Sequence, residues 1–70
     1  MKLEPGDLLV VETGIQRGET RVVIAVQPYA GIPETKETEA LLMYPNGALR
    51  WHSSRWLARI TKKAGDNESR

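Results

Sequence analysis

Tyr44-Pro45-Asn46-Gly47-Ala48 is the stretch on which the fold of this chain turns. Asn followed by Gly tolerates positive φ at both central positions of a two-residue turn, the geometry of a tight hairpin. Before it runs Thr38 to Tyr44, with Leu41, Leu42, Met43 and Tyr44 at its centre, and after it Ala48 to His52. The pattern predicts two antiparallel strands joined at Asn46-Gly47. A helix through Glu34–Met43 competes, because Glu, Lys, Ala and Leu favour one. That stretch is short and poorly capped, and the strand reading is preferred.

Moving toward the N-terminus, Thr20 to Gln27 carries Val22, Val23, Ile24 and Val26, β-branched residues that suit a pleated surface. Pro28 is expected to end it. Leu8-Leu9-Val10-Val11 is a brief apolar run bounded by the turn signal Glu4-Pro5-Gly6-Asp7 and predicts another strand. Thr13 to Glu19, with two glycines, reads as a loop, and Tyr29 to Glu37 as a long exposed connection. Moving toward the C-terminus, Ser53 to Leu57 predicts one short 3-10 turn, and Ala58 to Thr61 a last strand. Lys62 to Arg70 is polar and predicts a disordered tail. The expected organisation is one domain over residues 1–61 and a tail over 62–70. The expected class is all-β: a small five-stranded barrel, because closure hides sheet edges that an open sheet exposes.

Composition narrows the function. Seventy residues bury a small core, and domains this short usually lean on a disulfide, a metal or a partner subunit. Cysteine is absent and His52 is the single histidine, so neither a disulfide, a metal nor a cofactor is expected, and self-association remains. Ten basic against nine acidic residues leave a net charge of +1, far from the charge of a dedicated non-specific DNA binder. No run approaches the roughly 18 apolar residues of a membrane span, and the first residues lack a signal peptide's apolar stretch. A cytoplasmic protein is expected, or one of the host cytoplasm if viral, with no membrane partner.

Pro5-Gly6-Asp7-x-Leu9-x-Val11, followed by Gly18-x-x-x-x-Val23 and Val26, resembles the opening of KOW and related SH3-like barrels. Tyr44-Pro45-Asn46-Gly47-x-x-x-Trp51, then Ser54-x-Trp56-Leu57-x-x-Ile60, resembles their final hairpin, short helical turn and closing strand. Together these pieces span most of residues 4–61. The resemblance implies an SH3-like barrel, a fold that hosts many unrelated roles. Arg21 stands where KOW motifs usually carry glycine. The chain is also similar in style to small phage-encoded proteins of unknown function.

Strand alternation raises the question of what covers the outside. Leu9 and Val11 are expected inward, Leu8 and Val10 outward. Val22, Ile24 and Val26 oppose Val23 and Ala25, and Leu41 and Met43 oppose Leu42 and Tyr44. A solvated face should be polar, and three of these strands are apolar on both sides. A homo-oligomer interface through Val22, Ile24, Leu42 and Tyr44 is therefore expected, the alternative being cover by loops and termini.

Arg50-Trp51-His52-Ser53-Ser54-Arg55-Trp56 holds both tryptophans and the histidine. Aromatic and guanidinium surfaces suit ligand and single-stranded nucleic-acid sites, where bases and prolines stack. Arg50, Trp51, His52, Arg55, Trp56 and Arg59 are the candidate binding residues, for a protein or a nucleic acid. Trp51 is expected to plug the core, and Trp56 is open between core and site. Arg17, Arg21, Arg50, Arg55, Arg59, Lys62 and Lys63 are expected to spread over a mixed, solvated surface with Glu12, Glu19, Glu37 and Glu39. Catalytic residues are not expected, since Ser53 and Ser54 beside His52 make no nucleophile–base pair along a strand. The layout is also similar to the plasmid-borne type of dihydrofolate reductase, a resemblance that implies an oligomeric reductase with a pore at the subunit interface. The strand that forms that pore here reads Leu49-Arg50-Trp51-His52. The leading expectation is a non-catalytic binding module that self-associates, followed by a nucleic-acid-binding barrel using residues 50–59.

Overall fold

A computed structural model describes residues 2–31, 34 and 36–64. Five strands form one antiparallel sheet: β1 (Leu8–Val11), β2 (Thr20–Pro28), β3 (Thr38–Met43), β4 (Leu49–Ser53) and β5 (Thr61–Lys63), in the order β4-β3-β2-β1-β5. A seven-residue helix α1 (Ser54–Ile60) leads straight from β4 into β5, and a short 3-10 turn occupies Tyr29–Gly31. The expected strand-rich class holds. Closure does not, because the sheet ends at β4 on one side and β5 on the other. No helix among the described residues is long and apolar enough to cross a membrane.

The expected 3-10 turn before the last strand is instead a full α-helix. Ser53 is its N-cap, extended at φ −67° and ψ 141°, and its Oγ accepts the Trp56 N–H at 3.1 Å. That satisfies one of the orphan donors of the first turn. Arg55, Leu57, Ala58 and Arg59 favour helix, and they carry it through the segment whose Ile60-Thr61 ending suggests a strand. Thr61 ends it by donating both its N–H and its Oγ1–H to the Leu57 carbonyl. The last strand therefore starts at Thr61, and Lys62 and Lys63, expected in a tail, pair with Val10 and Leu9. Lys63 Nζ reaches Asp7 Oδ2 at 3.2 Å. The rest of the expected tail, residues 65–70, lies outside the described residues.

The hairpin at Asn46-Gly47 forms, with a different turn. Tyr44 and Ala48 close a three-residue loop, and the Gly47 N–H donates to the Tyr44 carbonyl at 2.8 Å. Only Gly47 has positive φ, at 88°. Pro45 presets the first position of a type I turn, and Gly47 follows it in the left-handed region. Asn46 Oδ1 accepts the Ala48 N–H at 3.0 Å, a local bond that holds the turn.

Leu3, Leu9, Val23, Ala40, Leu42 and Leu57 form the core, with Val26 and Tyr44 packed at its margin. Leu9 and Val11 point inward as alternation predicts, and Leu8 is exposed. The β2 expectation fails in its second half. A bulge at Ile24 lets Val23 pair with Leu42 and Ala25 with Leu41, so the alternation restarts and Val26 turns to the core. Leu42, expected in an outer interface, is 2% exposed, because β3 presents Ala40 and Leu42 to the core. Tyr44 lies on that same inner side. Trp51, expected to plug the core, is 43% exposed and pairs with Leu41 on the outer face.

Candidate functional site

The inner side of the sheet holds a cleft of about 400 Å³. One wall is the loop between β1 and β2, residues 12–19, whose Ile15 is fully exposed. The other is α1, through Trp56 and Ile60, and the floor includes Leu42 and Tyr44. Helical spacing explains the second wall, since Trp56 and Ile60 stand four apart on one face. Trp56 is 44% exposed, so part of its indole is open to solvent.

Arg21 lies beneath, 3% exposed, and corrects the expectation of a solvated arginine. Cross-strand pairing sets it opposite Leu9, on the core side. Its Nη1 pairs with Glu19 Oε1 at 3.0 Å and donates to the Thr20 carbonyl at 2.9 Å. Its Nη2 donates to Gln16 Oε1 at 2.9 Å, and its Cζ lies 4.1 Å from the Tyr44 ring centroid. A buried guanidinium needs such partners, because an unpaired charge there is costly. The arrangement ties the β1–β2 loop to the cleft floor.

From Tyr44 the contacts continue across the floor. Its hydroxyl is 2.7 Å from His52 Nε2, with donor and acceptor set by the imidazole tautomer. The His52 ring stacks on Trp56, centroids 4.9 Å apart and planes 25° from parallel. Burial holds the His52 pKa below its ordinary 6.5, and the positive charges of Arg50 and then Arg21 push the same way. His52 is therefore a neutral imidazole at pH 7, in a locally positive field.

The candidate binding residues are not all brought together. His52 and Trp56 share the cleft side, and Arg50, paired with Leu42 across the strands, lies on that side at an exposed position. Trp51 is on the opposite face. Arg55 faces Glu37, Nε to Oε1 at 3.6 Å, and both are well exposed. Arg59 is exposed on α1. Val22 and Ile24 remain on the outer face, half-buried and exposed respectively. Arg21, Ile15 and Gln16 were not among the sequence candidates. Extending the inward phase of Val23 back by two residues would have found Arg21.

Ser53 is used as a helix cap, and Ser54 Oγ is 2.6 Å from Thr38 Oγ1. Among the described residues no group of three or more His, Cys, Asp or Glu side chains converges as metal ligands would. What the cleft offers is an apolar and aromatic surface beside a positive field. Neither family models, nor curated proteins, nor solved structures give a match to this chain.

Proposed function

We propose that the chain is a non-catalytic binding module that takes its ligand in the cleft between the β1–β2 loop and α1, and that it works as a self-associated assembly. The observation that carries this reading is the cleft, an open apolar recess with exposed Trp56 and Ile15 at its lips. Concave sites lined by apolar and aromatic groups with a few polar ones are where proteins bind ligands. The return of β5 to pair with β1 supports the SH3-like reading, since a half-closed barrel needs its last strand back beside its first. The test is an NMR titration of the ¹⁵N-labelled chain with a library of extended peptides. Shifts should cluster at the Trp56 indole and the amides of residues 13–16, and Trp56→Ala should abolish them. Shifts confined to other surfaces would refute the cleft as the site.

Nucleic-acid binding is the second reading, favoured by the positive field at His52 and by its stack with Trp56. A base would lie on Trp56 with its phosphates toward Arg50 and Arg59; Trp51 and Arg55 drop out by position. Oligothymidylate should then bind at about 50 mM salt and lose affinity steeply on added salt. Equal, negligible binding at every salt concentration removes this reading. No feature of the described residues favours the reductase-like alternative.

A further inference from the structure

The face of the sheet opposite the cleft is apolar to an extent that the cleft does not explain. Cross-strand pairing sets Leu8, Val22, Met43 and Leu49 in one row over β1, β2, β3 and β4, each directly opposite the next. The neighbouring row sets Ala25, Leu41 and Trp51 side by side. Leu8, Ile24, Met43, Leu49 and Trp51 are between 38% and 53% exposed. These five residues alone present roughly 450 Å² on one surface, the upper range for the largest apolar patch of a lone domain. The flanking rows carry unlike charges. Lys62, opposite Val10, closes one end of the face, and Glu39, opposite Ser53, closes the other.

We propose that two copies of this chain pair through this face, sheet on sheet, around a two-fold axis that reverses the rows. The proposal rests on the self-association part of the reading above and names its surface. Reversal lays the Leu8–Val22–Met43–Leu49 row of each copy over the Ala25–Leu41–Trp51 row of the other. It also sets each strand over the same strand of the partner, Val22 over Ala25, Met43 over Leu41 and Leu49 over Trp51, so the face is complementary to itself, as an isologous interface requires. The five residues of both copies expose roughly 900 Å² together, and the half-buried Val10, Val22 and Leu41 bring the area available for pairing past the ~1,000 Å² of a specific interface. The six residues that follow Ala64, Gly65-Asp66-Asn67-Glu68-Ser69-Arg70, are polar or glycine. A lipid surface would call for a basic rim, and this rim is of mixed sign.

The test is sedimentation equilibrium of the full chain, with Met43→Glu and Leu49→Lys variants whose folding is checked by cooperative melting. The native chain should give a dimer mass. Each variant should raise Kd on the order of 100-fold, because two-fold symmetry counts every substitution twice. Leu49, on the edge strand β4 and the most exposed of the row, carries the test if Met43→Glu does not fold. A Trp56→Phe protein leaves Trp51 as the only tryptophan, and its emission should shift red and become open to iodide on dilution. A native chain that is monomeric at every concentration overturns both this surface and self-association. A dimer untouched by both variants and broken by Trp56→Glu overturns the surface and leaves self-association standing. A monomer that binds phosphatidylcholine vesicles through Trp51 overturns the proposal in favour of lipid.

Discussion

Arg21 and Glu19 make an asymmetric pair: the guanidinium is buried and the carboxylate is half-exposed. Glu19→Gln leaves a buried charge with only neutral partners, whereas Arg21→Met removes the charge and keeps the volume. Glu19→Gln should therefore destabilise the fold by about 1–2 kcal/mol, discounted for the solvent that already screens Glu19, and Arg21→Met should stay within about 1 kcal/mol of the native chain. Urea denaturation of the two variants ranks them, and the opposite order would show that the ion pair is not what holds Arg21. His52 makes a prediction of its own. Its folded pKa is depressed, so the unfolded chain binds a proton that the folded chain resists. Stability is then fully present above pH 6.5 and is lost as pH falls below it toward the folded pKa. The melting temperature should drop over that window, and His52→Gln should flatten the drop. A native slope that His52→Gln leaves unchanged would assign the acid sensitivity to carboxylates.

Single-residue effects of this kind feed directly into the elements. Ser53 caps α1, and α1 supplies Trp56 and Ile60 to the cleft, so Ser53→Ala should cost about 1 kcal/mol and loosen the aromatic stack. Denaturant midpoint reads the first effect and near-UV circular dichroism of the tryptophan the second; an unchanged midpoint would mean that packing alone holds the helix. The elements were also where the sequence was most legible. β1, β2 and β3 follow their apolar runs to within a residue, because bounded β-branched stretches have few alternatives. The hairpin was legible in place and not in type: Pro45 lengthened the loop by favouring a type I turn. The α1–β5 segment is not legible locally, because Ile60 and Thr61 suggest a strand while the cap that decides the matter, Ser53, lies well before them.

Across the whole molecule, what the sequence could not show was which way each strand faces. Alternation is legible residue by residue, but its phase depends on partners distant in sequence. That is why the sequence pattern suggests Leu42 outside and Trp51 inside where the fold has the reverse, and why it does not mark Arg21 as a core position. The cleft shares that limit, since it joins residues 13–16 to Tyr44, Trp56 and Ile60, which only the fold brings near. The Ile24 bulge carries one last consequence. Val23 and Ala25 already pair with the consecutive residues Leu42 and Leu41, so a gene lacking the Ile24 codon would encode an uninterrupted ladder with every other partnership kept. Such a shortened chain should fold, with a straighter central strand and a dispersed amide spectrum. Removing Val23 instead should collapse that spectrum, because it takes away a core residue. The longest strand thus has one position at which its length is negotiable.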